Sequence, residues 1–334
     1  MQQQTQQKLE IKTFQFLMQA VTPIHHGHET FGNISTVMRR KTRMPDGSWA
    51  SIPAISGDAM RHGLREAGAY AFLSAAGMLS DPALSEATLR LLFAGGMVTG
   101  KGDAGGVKLD KYRELCEMIP TMSILGGCAS NRIVPGQLVV EDLMLVCKES
   151  EHITPKWIVD EAGTLDTCRA HVELEQRVRM DPTLSPEKLK LLSAGAATDV
   201  QHRLLQSEHA HADDVATAKE ATKSSMMPRQ NEVVCAGSMF SWSVTARCYS
   251  DLEVDVFNTL VASFLADARV GGKRGTGHGA LRAVKAQGVI LTQAADRLHP
   301  LDTTALAPKV GELFRTHVQA RASKLREYLK TVDA

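Results

Sequence analysis

From Phe240 to Cys248 the chain alternates without a break. Phe240, Trp242, Val244, Ala246 and Cys248 fall on one side, and Ser241, Ser243, Thr245 and Arg247 on the other. A period of two is the pattern of a strand with one face in a core and the other in water. Directly after it stands Ser250-Asp251-Leu252-Glu253, a capping box, followed by Phe257, Leu260, Val261, Phe264, Leu265 and Ala268 at helical spacing. A half-buried strand that runs into an amphipathic helix must bury both apolar faces against other elements.

The rest of the chain supplies them. Residues 11 to 21 alternate Thr13, Gln15 and Gln19 with Phe14, Phe16, Met18 and Ala20, a first strand. A helix begins at Ser56, which can cap it. Asp58 sits favourably in its first turn, Met60, Leu64, Ala67 and Ala71 form its apolar stripe, and Arg61 and Arg65 share another face. Residues 137 to 147 read as a second strand and 280 to 291 as a last one. The order strand, helix, strand, insertion, strand, helix, strand is the split β-α-β of an α+β, RRM-like (ferredoxin-like) domain.

Between these elements lie three excursions. Residues 22 to 52 are polar, histidine-rich and basic, with Pro45-Asp46-Gly47 as a turn signal, and read as a long loop or hairpin. Residues 78 to 135 hold short helical patterns joined by a glycine-rich link. Residues 150 to 230 are charged and helical in pattern, and look like an insertion. A terminal amphipathic helix is expected over 309 to 330, with Val310, Phe314, Val318, Leu325 and Leu329 on its apolar side. A chain of 334 residues with 43% apolar content can bury such a core and carry the insertion.

The N-terminus has no apolar h-region, and no run of about eighteen uncharged apolar residues occurs, so a cytoplasmic protein with no membrane partner is expected. The six cysteines, Cys116, Cys128, Cys147, Cys168, Cys235 and Cys248, form no C-x-x-C pair. That spacing suits a reducing compartment and speaks against disulfides and a cysteine-based zinc site.

Lys and Arg number 38 against 37 Asp and Glu, a net charge of +1, so any affinity for a polyanion must come from local clusters. Three stand out: Arg39-Arg40-Lys41 with Arg43, Arg61 with Arg65, and Lys273-Arg274. Aromatic residues make up only 5%, which favours backbone contacts over base stacking.

The most informative segment is Gly271-Gly272-Lys273-Arg274-Gly275-Thr276-Gly277-His278-Gly279, with five glycines in nine residues between a helix and a strand. Glycines let backbone N–H groups approach a phosphate chain, and Lys273 and Arg274 supply charge. A dinucleotide fingerprint would follow a strand and open a helix, the reverse of this order. Gly95, four residues, then Gly100-Lys101 is a near-miss of a phosphate-binding loop, with Gly102 where Ser or Thr should ligate magnesium.

His25, His26, His28 and Glu29 match no metal-ligand spacing and are read as a loop that meets RNA or solvent. No pair of groups has the spacing of an acid–base couple, and no G-x-S-x-G marks a nucleophile. The expectation is therefore a protein that is not an enzyme, with no catalytic residues, no metal and no cofactor.

Several segments, in order, resemble the RAMP superfamily backbone proteins of CRISPR effector complexes. Ile52-Pro53-Ala54-Ile55-Ser56-Gly57-Asp58-Ala59-Met60-Arg61-His62-Gly63-Leu64-Arg65 looks like the family's "IPGSSLKGALR" run into the first helix. Leu125-Gly126-Gly127 with Gly136-Gln137-Leu138-Val139-Val140-Glu141-Asp142 is similar to its "LFGS…GRLxVxD" second strand. Arg229 to Phe240 looks like the "R…ERVxxGxxF" passage, and the loop at 271 to 279 completes the set.

The resemblance implies one RAMP-type domain over 1–334. Its palm would come from 10–21, 56–77, 137–147 and 236–291, its fingers from 22–52 and 78–135, and a helical thumb from 150–230. It implies subunits that stack head to tail along a guide RNA (crRNA), with other effector subunits and a base-paired target nucleic acid as partners. The divergent motifs and helical thumb look most like a type IV backbone. On this basis Arg61, His62, Arg65, Gly272, Lys273, Arg274, Gly275, Gly277 and His278 are expected at the RNA. Arg39, Arg40, Lys41, His25, His26 and, at the base of the thumb, Met226, Met227 and Arg229 join them.

Type III backbone proteins that cut RNA carry an aspartate after strand one in a context like "G-I-D-N-P-V". Here Gly32-Asn33-Ile34-Ser35-Thr36-Val37 places Ser35 there, and a neutral hydroxyl neither ligates a metal strongly nor acts as a base near pH 7. No target cleavage is expected. The alternatives are a RAMP-type endoribonuclease, with His25, His26 and His28 as suspects, and a nucleotide-dependent enzyme using residues 95 to 102.

Overall fold

The computed structural model describes residues 9–80, 84–96, 108–129, 132–180, 226–287 and 310–331. Strands are β1 Glu10–Ala20, β2 Gly27–Phe31, β3 Ile34–Val37, β4 Arg39–Arg43, β5 Trp49–Ile55, β6 Gly127–Ala129, β7 Arg132–Val134, β8 Leu138–Val140, β9 Leu143–Leu145, β10 Val172–Met180, β11 Met226–Val234, β12 Met239–Cys248 and β13 Leu281–Gln287. Helices are α1 Gly57–Ala75, α2 Glu86–Ala94, α3 Leu109–Met118, α4 Thr121–Leu125, α5 Lys156–Ala162, α6 Asp251–Ala266, α7 Glu312–Ala320 and α8 Ala322–Thr331.

They fall into two compact units. The first comprises residues 1–28, 37–173 and 233–334, and the second residues 29–36 and 174–232. In the first unit an antiparallel sheet runs β13-β1-β12-β9-β5-β4, with β8 also paired to β12. β1 and β12 form its centre over ten paired positions, from Glu10↔Cys248 to Gln19↔Met239. Counting β8 and β9 together as the second palm strand, the spatial order is fourth, first, third, second. This α+β arrangement is the RRM-like split β-α-β read from the sequence.

The alternation of β12 is realised in full. Phe240, Trp242, Val244, Ala246 and Cys248 are buried under α1 and α6, where Phe14 stacks on Phe257 at 5.1 Å and Phe16 on Trp242 at 5.2 Å. α1 meets α6 closely because it carries glycine at the contact. A Cβ on Gly63 would stand 2.7 Å from the Phe264 ring. Ser56 caps α1 through the Ala59 amide at 3.2 Å, and Ser250 caps α6 through the Glu253 amide at 3.2 Å. On the sheet's other face α5 covers a smaller cluster of Leu17, Val146 and Ile158.

The structure revises several expectations. Of the two readings of residues 22–52, a long loop or a hairpin, the structure shows a hairpin that goes further than expected, into the main sheet. β4 and β5 form a hairpin whose second strand runs into the main sheet beside β9, burying Ile52, Ala54 and Ile55. Pro53 had masked that strand, since proline is rare in sheet interiors. The strand expected over 137–147 is two, because the chain breaks at Glu141 and Asp142, whose carboxylate turns to the Gly57 amide at 2.7 Å. The terminal helix is also two, α7 and α8, split at Arg321, which reaches Glu117 at 3.1 Å.

In the stretch read as helical from 150 to 230, short helical turns and α5 lead into strands β10 and β11, and residues 181–225 lie outside the described residues. In the second unit these strands form a sheet of order β10-β11-β3-β2, with β11 parallel to β3 through Gln230↔Ile34 and Asn231↔Ser35.

Candidate nucleic-acid interface

The N-terminus of α1 gathers the first group of expected residues. The Arg40 guanidinium grips the Asp142 carboxylate with both Nε and Nη2, and Asp142 also accepts the Gly57 amide at 2.7 Å. Burial works to raise the Asp142 pKa, but the Arg40 hydrogen bonds and the Gly57 amide hold it below the usual carboxylate value. The His26 Nε2 accepts the Ser56 amide at 3.3 Å, and burial, helped by His25, lowers the His26 pKa. A depression of about 250 Å³ opens here, lined by Arg40, Gly57, Asp58, Arg61, Val140 and Asp142.

Arg61 and Arg65, expected at guide phosphates, are both bonded to backbone carbonyls in the structure. Arg61 donates to the Leu138 carbonyl at 3.0 Å and to that of Leu125, and Arg65, buried, donates to Gly126 O at 2.9 Å and Leu125 O at 3.3 Å. The physical reason lies at the end of α4, where carbonyls without helical partners need donors. Desolvation lowers the Arg61 pKa and brings that of Arg65 down to about 10. Both are fastenings of the fold. His62, one residue from Arg61, is exposed on α1.

The glycine-rich loop docks on the turn after β1. Gly272 N donates to His25 O at 2.7 Å and Gly279 N to Pro23 O at 2.9 Å, which buries His25 and His278. Thr276 N, Gly277 N and His278 N turn back on Lys273 O and Arg274 O. These five amides of the loop expected to cradle phosphate bond to carbonyls of the chain itself. Lys273 itself has φ +60°, the left-handed region that a non-glycine residue seldom adopts. Arg274 meets Glu66 at 3.1 Å, with both side chains partly exposed. Gly275 and Gly277 are exposed at the tip.

The third basic cluster lies on the β4–β5 hairpin, where strand parity separates its members. Arg40, directed to Asp142, shares a face with buried Ile52, its cross-strand partner. Arg39, Lys41 and Arg43 share the opposite face with Ser51 and Trp49. Lys41 and Arg43 are exposed, and Trp49, directly across from Arg43, is 68% exposed. Sequence reasoning passed over Trp49 because low aromatic content was averaged over the chain. Its signal was local, a tryptophan two residues after the Asp46-Gly47 turn of a basic hairpin.

Met226, Met227 and Arg229 stand on β11, with their side chains outside the described residues. The near-miss phosphate loop begins at Gly95, which ends α2 with φ +83°, so a helix precedes it where a strand is needed. Residues 97–107 lie outside the described residues. Among the described residues no group of three or more His, Cys, Asp or Glu could hold a metal, and no helix is long and apolar enough to cross a membrane.

No family model matches the chain, and no curated protein matches it. Among solved structures, one chain of a structure titled "Type IV-B CRISPR Complex" is similar in fold. Its TM-score is 0.50 at 18% identity, over 83% of this chain and 90% of that chain.

Proposed function

We propose that this chain is a non-catalytic backbone subunit of an RNA-guided CRISPR effector complex, of type IV, that coats guide RNA and stacks head to tail with copies of itself. The observation that carries the reading is the extent of the fold likeness, 83% of this chain and 90% of the neighbour. The RAMP-like motifs along the sequence support it independently. Exposed Lys41 and Arg43 and the partly exposed Lys273 and Arg274 supply local positive charge on a chain whose net charge is only +1. Ser35, at the position of the acid in RNA-cutting relatives, supports the non-catalytic part.

Contacts of this kind are made to phosphates, so affinity should fall steeply with salt and vary little with sequence. The test is binding of several single-stranded RNAs of unrelated sequence between about 50 and about 200 mM salt, with the RNA checked for breakage afterwards. Sequence-independent, salt-sensitive binding of intact RNA is expected. Cleaved RNA would replace the reading with a ribonuclease, and no binding at any salt would end it.

A further inference from the structure

Tryptophan offers a large flat apolar surface with an N–H at its edge, which is why it is enriched at interfaces. Trp49 is 68% exposed, although its strand is held firmly. Arg43 pairs with Trp49 and Thr42 with Ala50 across the hairpin, and the turn is closed by Met44 N to Ser48 O at 2.9 Å and Gly47 N to Met44 O at 2.9 Å. The Asp46 carboxylate adds bonds from the Ser48 amide at 2.9 Å and hydroxyl at 2.6 Å. The indole is thus presented on a rigid support and not on a mobile tip.

Its neighbours define what it can meet. Arg43 is directly opposite and Lys41 is the next residue on the same face, about 7 Å further along the strand, near the separation of successive phosphates in an extended chain. Between residues 39 and 55 the one acid is Asp46, and its carboxylate is occupied by Ser48. Among the described residues nothing buries this face, since Ser51, Lys41, Arg43 and Trp49 are all exposed. A flat apolar ring beside two cations is complementary to an unpaired nucleotide, with its base against the indole and its phosphates against Lys41 and Arg43.

We propose that Trp49, with Lys41 and Arg43, is a stacking platform for an unpaired base of single-stranded RNA. The inference rests on the RNA-coating reading above and deepens it, adding a base contact to an interface otherwise made of phosphate contacts. Stacking of this kind is blind to base identity, because every base has a π-face, so it fits a protein that coats guides of any sequence.

The test uses the full chain, an oligouridine, and the same oligonucleotide made abasic so that ribose and phosphate remain. The wild-type protein is expected to bind the abasic strand about tenfold more weakly, and Trp49→Ala to bind both strands alike, at the weaker level and with the wild-type salt dependence. Trp49→Phe should retain most of the preference for the intact strand. Lys41→Glu and Arg43→Glu should each reduce the salt slope by about 1. RNA should also quench part of the tryptophan emission, and Trp49→Phe should remove that part.

Wild-type binding by Trp49→Ala, with the abasic penalty intact, would overturn the platform while leaving the RNA reading in place. Unchanged RNA affinity with lost association between protein chains would overturn it in favour of a protein partner. Failure of the wild-type protein to bind RNA would bring down both.

Discussion

The guanidinium of Arg65 donates to the carbonyl oxygen of Gly126 at 2.9 Å from a residue only 8% exposed. Arg61 on the preceding turn reaches the same corner through Leu125 O. A charged donor in such a place holds two chain segments together, and its loss strands buried carbonyls. Arg65→Ala should lower the unfolding free energy by about 2–3 kcal/mol, as denaturant titration would read. Both carbonyls are met by the one Nη2 nitrogen, so Arg65→Lys, whose ammonium also carries more than one N–H, should recover part of the loss.

At the other end of α1, Asp142 neutralises Arg40. Asp142→Asn removes that charge while leaving an oxygen for the Gly57 amide, and so releases a cation beside the helix N-terminus. The variant should bind RNA more tightly at low salt, with a salt slope steeper by up to about 1. It should also be less stable, by about 1 kcal/mol. A slope unchanged from wild type would mean that Arg40 does not face the RNA.

His26 gives the pH dependence. Burial and the neighbouring His25 depress its pKa from 6.5, while Asp142 pulls the other way. A group with a depressed folded pKa binds fewer protons folded than unfolded, so as pH falls below about 6.5 the unfolded chain takes up the proton first and stability drops. Thermal melts between about pH 7.5 and about pH 5.5 should show that loss. His26→Gln, which keeps an acceptor for the Ser56 amide, should flatten the slope.

The contact of α1 with α6 predicts a further cost. A methyl group on Gly63 would meet the Phe264 ring at 2.7 Å, and that ring is wedged edge-on against Trp242 at 5.6 Å. Gly63→Ala gains helix propensity but overpacks this corner. A net destabilisation of about 1–3 kcal/mol is expected from thermal or denaturant unfolding.

How far the sequence revealed this molecule depended on whether a signal was local. β12 and α6 were legible because alternation and a capping box act within a few residues, and Glu253 N does donate to Ser250 Oγ. β5 was hidden because Pro53 argues locally against a strand that β4 and β9 stabilise from outside. The bonds of Arg61 and Arg65 to the end of α4 were not legible, because their acceptors lie about sixty residues downstream, beyond the reach of any local pattern. The parity that sends Arg40 to Asp142 and Arg43 to the side of Trp49 needed only the hairpin register, which the turn at residues 44–48 sets.

The central claim, that this chain is a subunit repeated along RNA, is tested most directly by light scattering of the nuclease-treated, salt-stripped protein on single-stranded RNAs of increasing length. Mass should rise in whole-subunit steps as the RNA lengthens, with the RNA recovered intact. A mass that stays at one chain whatever the RNA length would contradict it.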